Sequence, residues 1–209
     1  MFTGIVQNIG EIILETPVGD SIIFEISVPE SDFTDGLKSG DSIAVNGVCL
    51  TATNIEKNKM KFTAVKETLT KTNLGELTKG SFVNLEKAMS IDSKLDGHLV
   101  QGHVDTTGKV VGIIENIDSH EFLIEFDSKF RDYIIKIGSV CINGVSLTIA
   151  EIVKENENEN ENKIIIKIAI IPFTNNNTTF QYLRINNSVN IEFDMMGKYI
   201  KRIFENSIK

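Results

Sequence analysis

The sequence predicts an all-β protein: two tandem antiparallel barrels of about six strands each, related by internal duplication, followed by one C-terminal α-helix. The first observation behind this is a repeat. Asn46-Gly47-Val48-Cys49-Leu50-Thr51 returns 97 positions later as Asn143-Gly144-Val145-Ser146-Leu147-Thr148, with five of six positions identical. The flanks repeat too. Gly4-Ile5-Val6-Gln7 and Gly10 align with Gly102-His103-Val104-Asp105 and Gly108, and Thr68, Thr72, Leu77, Val83, Asn84 and Glu86 return as Thr174, Thr178, Leu183, Val189, Asn190 and Glu192 at a constant offset of 106. Copies in the same order mean a duplication and two similar domains. The second observation is segment type: short β-rich runs bounded by Gly, Asn, Asp and Pro, which read as barrels rather than βαβ units. The third is a change of period after residue 193, from alternation to helical spacing.

In chain order, strands are expected at 21–28, 42–46, 60–65 and 82–87, matched in the second half by 121–127, 140–143, 164–171 and 188–193. Ser31 is read as the N-cap of a short helical turn ending near Gly36, and Ser128 opens the same pattern over 128–134 before Gly138. Both serve as lids on a barrel end. The Glu/Asn run 154–163, where the first half has only 56–59, reads as a solvated hairpin tip. Residues 90–97 are a short linker, which divides the chain into barrels at 1–97 and 98–193 and a helix at 194–209. In that helix Met196, Tyr199, Ile200, Ile203 and Phe204 fall on one face, with Lys198, Lys201, Arg202 and Glu205 between them. The repeat holds no counterpart of this helix and so no groove made for it. A bundle with the same helix from other subunits is favoured over packing on its own barrel.

Composition excludes several classes. With 41% hydrophobic and 24% charged residues the chain is ordinary globular protein, and its net charge of −8 leaves no basic face for nucleic acid. No apolar run is long enough to span a membrane, and the N-terminal residues lack the pattern of a signal peptide. Two cysteines, Cys49 and Cys141, make no disulfide framework and fit a reducing cytoplasm, and the three histidines and two cysteines lack zinc-site spacing.

Candidate chemistry lies where the two copies differ. His103 stands at the position of Ile5 in the first copy and is the better candidate for proton transfer, whereas His98 reads as a hydrogen-bonded structural residue. Alternating strand geometry would put these two rings on opposite faces. Cys49 stands opposite Ser146, and Cys141, between Val140 and Ile142, reads as core. Thr51, Lys66-Glu67-Thr68 and Thr72-Asn73, with Thr148, Thr174 and Thr178-Thr179, give each barrel a polar rim suited to a planar ligand with many acceptors.

The opening Met1-Phe2-Thr3-Gly4-Ile5-Val6, the Asn-Gly-Val-Cys-Leu-Thr motif, Lys66-Glu67-Thr68-Leu69 with Thr72-Asn73-Leu74-Gly75, Gly97-His98-Leu99-Val100-Gln101-Gly102-His103-Val104 and the second Asn-Gly-Val-Ser-Leu-Thr together resemble the riboflavin synthase family, alpha-chain type, from Met1 to about residue 205. The resemblance implies dismutation of two molecules of 6,7-dimethyl-8-ribityllumazine, by four-carbon transfer, to riboflavin and 5-amino-6-(ribitylamino)uracil, with no metal or organic cofactor. It also implies a homotrimer held by the C-terminal helices, with each active site between the N-barrel of one subunit and the C-barrel of a neighbour. Lumazine synthase is a further partner it raises.

Carried over by motif, the N-barrel ligand meets Cys49, Leu50, Thr51, Thr63, Ala64, Val65, Lys66, Glu67, Thr68, Gly102, His103 and Val104. The C-barrel ligand meets Gly4, Ile5, Val6, Ser146, Leu147, Thr148, Ile171, Pro172, Phe173, Thr174, Asn175 and Asn176. Phe2, Ser42, Cys49, His98 and His103 map to family residues tied to turnover. Two departures stand out. Ile137 occupies the place of a family lysine, with Lys136 one residue earlier, and Phe173 replaces a usual acidic or histidine residue. The alternative is a non-catalytic antenna protein of the same fold that holds lumazine or flavin. Such relatives lose the turnover residues, and this chain retains them.

Overall fold

The computed structural model describes residues 1–28, 32–155 and 162–207. The expected cap Ser31 and the centre of the 154–163 insertion lie outside them. The strands β1 (Asn8–Val18), β2 (Ser21–Ser27), β3 (Ser42–Val45), β4 (Val48–Glu56), β5 (Lys59–Ala64) and β6 (Phe82–Lys87) close into one antiparallel barrel in the order β1-β2-β5-β4-β3-β6. The strands β7 (Thr106–Glu115), β8 (His120–Asp127), β9 (Ser139–Ile142), β10 (Val145–Glu155), β11 (Lys163–Ile170) and β12 (Ser188–Phe193) close a second in the equivalent cyclic order. The expected double barrel is therefore the observed one.

Alternation explains both walls. On β11 the side chains of Ile164, Ile166, Ile168 and Ile170 are buried, as are Phe122, Ile124 and Phe126 on β8, and together they fill the lumen. Bulges at Ile12/Leu14 and Ala52/Asn54 recur at Val110/Gly112 and Ile149/Glu151, bending equivalent strands so that each sheet can close. The repeated Asn-Gly pairs turn the β3–β4 and β9–β10 hairpins, with φ of 47° and 77° at Asn46 and Gly47 and 47° and 80° at Asn143 and Gly144. Positive φ at both central residues is what the tight hairpin turn of matching twist requires.

These turns also join the barrels. A Cβ on Gly47 would stand 2.6 Å from the Gly144 nitrogen, so the two turns meet backbone to backbone. Around them Asn84 Nδ2 donates to the Asn143 carbonyl at 2.8 Å, and Asn190 Nδ2 donates to the Asn46 carbonyl at 2.9 Å. The same symmetry has Thr179 N donating to Asn84 Oδ1 and Asn73 N donating to Asn190 Oδ1, both at 2.7 Å.

The helices required correction. The stretches read as polar rims form α1 (Lys66–Lys71) with a 3-10 turn at Asn73–Glu76, and α2 (Pro172–Asn176) with a 3-10 turn at Thr179–Tyr182. Thr72 Oγ1 donates to the Thr68 carbonyl at 2.7 Å and accepts from Leu74 N, and Thr178 repeats this with Thr174 and Phe180. These threonine hydroxyls stitch helix to 3-10 turn and are not free for a ligand. Residues 33–36 form a turn, and Ser128–Tyr133 is a 3-10 helix capped by the Asp127 carboxylate, one residue earlier than expected.

The C-terminal helix α3 (Met195–Ser207) docks by its polar side: Lys201 reaches Asp132 at 2.7 Å and lies 4.8 Å above the Tyr133 ring. Met196, Tyr199, Ile200, Ile203 and Phe204 remain 57–67% exposed in the single chain, so the apolar face does not pack on its own barrel. No helix among the described residues is long and apolar enough to cross a membrane.

Ile137 has φ 66°, at the position where the first barrel has Gly40 with φ 100°. A β-branched side chain there costs about 1–2 kcal/mol, against the smaller entropy that glycine adds to the unfolded chain. Ile137→Gly is therefore expected to stabilise the protein by about 0.5–1 kcal/mol, read as a higher urea midpoint at unchanged slope.

Candidate active site

Hydrophobic side chains fill each lumen, with Leu50 and Ala64 of the candidate set among them, and the polar candidates on the strands lie on the outer walls. On β4, Val48, Leu50 and Ala52 point inward, leaving Cys49 and Thr51 outside. Ser42 pairs with Thr51 and Ala44 with Cys49, so Ser42, Cys49 and Thr51 share one face. Ser42 has its counterpart in Ser139 of the second copy, so the repeat does not single it out, and the register brings it to the face of Cys49. On β5 Thr63 is exposed and Ala64 buried. Val65 is exposed and leads into α1, where Lys66 and Glu67 pair with Asp20 and Lys71 at 3.0 and 2.7 Å.

The segment covering this wall comes from the other half of the sequence. Cys49 N donates to the Gly102 carbonyl at 2.9 Å, and Val104 packs against the first barrel's core. Reciprocally, Ser146 N donates to the Gly4 carbonyl at 2.7 Å, and Val6 packs against the second barrel's core. The two straps cross at Phe2 and Val100, whose N–H and carbonyl groups pair both ways at 2.7 and 3.1 Å. Each barrel thus hands its leading strap to its twin. Phe2 is fully buried with Ala44, Val100 and Cys141 and adjoins Cys49, so it sits beneath the strap.

On the second wall Ser146 and Leu147 are half-buried and Thr148 exposed. His98 Nδ1 and Ser146 Oγ are 2.7 Å apart, which agrees with the reading of His98 as hydrogen-bonded. His103 lies exposed on the strap over the Cys49 wall, so the two histidines lie over different barrels. The strap crossing separates them, because 97–103 is not a strand and alternation does not apply. Burial pushes the His98 imidazole below its ordinary value against the opposing pull of Asp194, so the ring is neutral at pH 7.

Ile171, exposed, precedes α2, which carries Pro172, Phe173, Thr174, Asn175 and Asn176. Phe173, 72% exposed, lines with Val6, Gln7 and Asn176 a cavity of about 400 Å³. Lys136 is exposed. Its charge adds to the chief effect of Lys167 in holding the Glu151 carboxyl down. Cys141 is buried, and burial pushes its thiol well above the ordinary value, as a core residue requires.

Two carboxylates, Glu86 and Glu192, are buried. Glu86 accepts from Thr3 N, Thr3 Oγ1 and Gly4 N at 2.6, 2.7 and 3.0 Å, and Glu192 accepts from Gln101 N and His103 N at 2.6 and 2.8 Å. Burial raises both carboxyls, with the N–H donors opposing. Each carboxylate pins one strap to its wall. Their signal was present in the repeated Val-Asn-x-Glu, which reads as strand pattern until the burial is known.

A pair of closed barrels that exchange straps over a thiol- or hydroxyl-bearing strand defines the class of duplicated double-barrel proteins. A family model described as "Lumazine binding domain" matches residues 3–88 and 101–194. The chain is 37% identical to the riboflavin synthase of Bacillus subtilis over 97% of its length and 89% of the relative's, and 37% identical to that of Mycobacterium bovis over 99% and 100%. The riboflavin synthase of Actinobacillus pleuropneumoniae is 36% identical, over 97% and 89%. Among solved structures, LumP complexed with 6,7-dimethyl-8-(1'-D-ribityl) lumazine and LumP complexed with flavin mononucleotide each align at TM-score 0.79 and 27% identity, covering 92% of this chain and 98% and 99% of theirs. The chain belongs to the riboflavin synthase family of lumazine-binding-domain proteins.

Proposed function

We propose that the protein is a riboflavin synthase, converting two molecules of 6,7-dimethyl-8-ribityllumazine into riboflavin and 5-amino-6-(ribitylamino)uracil. The observation that carries this is the pair of equivalent outer walls, one with Cys49 and the other with Ser146, each under a strap from its twin. One lumazine lies on each wall. The C7 methyl of a lumazine is acidic because its carbanion delocalises into the ring, so one ligand serves as nucleophile and the other as electrophile. Atoms balance between two identical substrates, so the four-carbon transfer needs no external oxidant. Holding two rings face to face turns a bimolecular encounter into an intramolecular one, worth up to ~7–11 kcal/mol.

The N-barrel ligand contacts Cys49, Leu50, Thr51, the 63–68 stretch and the strap Gly102, His103 and Val104. The C-barrel ligand contacts Gly4, Ile5, Val6, Ser146, Leu147, Thr148 and α2, with Lys136 near by. Acid/base help comes from one of His103, Ser42 and Cys49. Neutral His98 orients the Ser146 hydroxyl, and Phe2 supports the strap from beneath. A homotrimer assembled through the exposed face of α3 brings the N-barrel of one subunit to the C-barrel of the next. Free thiols at Cys49 and Cys141 suit a cytoplasmic protein. Docking onto lumazine synthase belongs to the same reading.

The test mixes purified protein with the lumazine and follows both pigments. One riboflavin should form for every two lumazines consumed, and Cys49→Ser and His103→Ala should each slow turnover about 10²-fold. Tight binding without turnover would sink the enzyme and leave the antenna. Removal of 195–209 is expected to convert a trimer to a monomer in light scattering and to abolish turnover while each barrel still binds ligand.

A further inference from the structure

The two straps are held alike except in one respect. In the first barrel Lys87 N donates to the neutral Gln7 side chain at 2.9 Å. At the equivalent place in the second, Phe193 N donates to Asp105 Oδ2 at 2.8 Å, so a carboxylate replaces an amide. Glu86 gains a hydroxyl donor from Thr3, but Gln101 stands at that position in the second copy and offers Glu192 its N–H. The His103 strap therefore carries one more negative charge and one less hydroxyl donor than the Ile5 strap. The compensating cation comes from outside the repeat: Lys198 of α3 lies 2.6 Å from Asp105 Oδ2, with both side chains only 23% exposed. Ion pairs this shielded are screened weakly.

We propose that Lys198 is a positioning residue for the His103 strap, its charge holding His103 in place through Asp105 and Glu192. Without Lys198, two neighbouring carboxylates are left uncompensated, Glu192 that grips Gln101 and His103 and Asp105 of the strap that grips Phe193 N, and the strap loosens at its hydrogen bonds to Glu192. The Ile5 strap has no such dependence. The consequence for turnover rests on the proposed function, but the loosening does not.

The test is amide hydrogen exchange in the full-length protein. Lys198→Met should speed exchange at Gln101 and His103 by about tenfold or more while Thr3 and Gly4 keep their rates. Lys198→Arg should restore slow exchange. Asp105→Gln, which copies Gln7, should make the strap indifferent to Lys198→Met. Lys201→Met controls for docking of α3, since it removes the contact with Asp132 and should leave the strap unchanged. In turnover, Lys198→Met should lower kcat by about tenfold with KM little changed. The proposal is overturned if exchange at 101 and 103 does not respond to Lys198→Met, if Lys201→Met produces the same response, or if Asp105→Gln fails to remove it. Loss of kcat with an unmoved strap would likewise place the role of Lys198 elsewhere.

Discussion

Replacing Gly102 with alanine is expected to lower turnover at least about 10²-fold while both barrels stay folded. At φ +79° an added Cβ would stand 2.6 Å from Cys49 Cβ, 2.9 Å from Cys49 N and 3.0 Å from Phe2 Cε2. The first two obstacles are a strand and the root of a side chain, which cannot swing aside. The strap must lift, the bond from Cys49 N to the Gly102 carbonyl breaks, and His103 moves with it. A displacement of about 1 Å in such a group is enough for the stated loss. Gly40→Ala is the control. It also has positive φ, at 100°, but nothing lies within 4 Å of its Cβ, so it costs only the backbone strain of about 1–2 kcal/mol and no turnover. Equal kinetic effects of the two variants would show that strain, rather than strap position, matters.

Asn190→Ala should cost about 3–5 kcal/mol in urea unfolding and separate the barrels. Its Oδ1 accepts from Asn73 N at 2.7 Å, and its Nδ2 donates to the Asn46 carbonyl and Asn73 Oδ1 at 2.9 and 2.8 Å, all between the barrels and buried. Truncation strands these partners without water, and each unmatched buried group costs about 1–3 kcal/mol. Asn84→Ala should cost less. Its side chain bridges Thr179 N and the Asn143 carbonyl but engages no second side-chain amide, because Thr179 stands where Asn73 stands in the other half. Two separate unfolding steps for Asn190→Ala would show the barrels uncoupled, and a cost below about 1 kcal/mol would show that other contacts carry the interface.

Much of the fold was legible in order along the chain. Apolar alternation placed eight strands to within a residue or two, because a strand half-buried in a barrel wall writes its burial into neighbouring positions. The strands β1, β4, β7 and β10, whose bulges interrupt the alternation, received no expected range. The helical spacing after residue 193 announced α3, and the missing counterpart in the repeat anticipated its unpacked face. The helices α1 and α2 were not legible, since five or six residues leave no period and their threonines read equally well as a rim. The resemblance grouped the site residues by barrel, but no residue pattern says that Gly102 covers Cys49 or that Gly4 covers Ser146.

By itself the sequence determined that there are two copies, that each closes as a barrel, and that one amphipathic helix stands outside them. These follow from side-chain periodicity and turn chemistry within tens of residues. The tertiary structure alone decided that the straps cross at Phe2 and Val100, that Glu86 and Glu192 are buried to grip them, and that the repeated Asn-Gly turns meet back to back. Such contacts join groups remote in the chain. Their energy comes from satisfying buried donors and acceptors in three dimensions, which leaves no period along one.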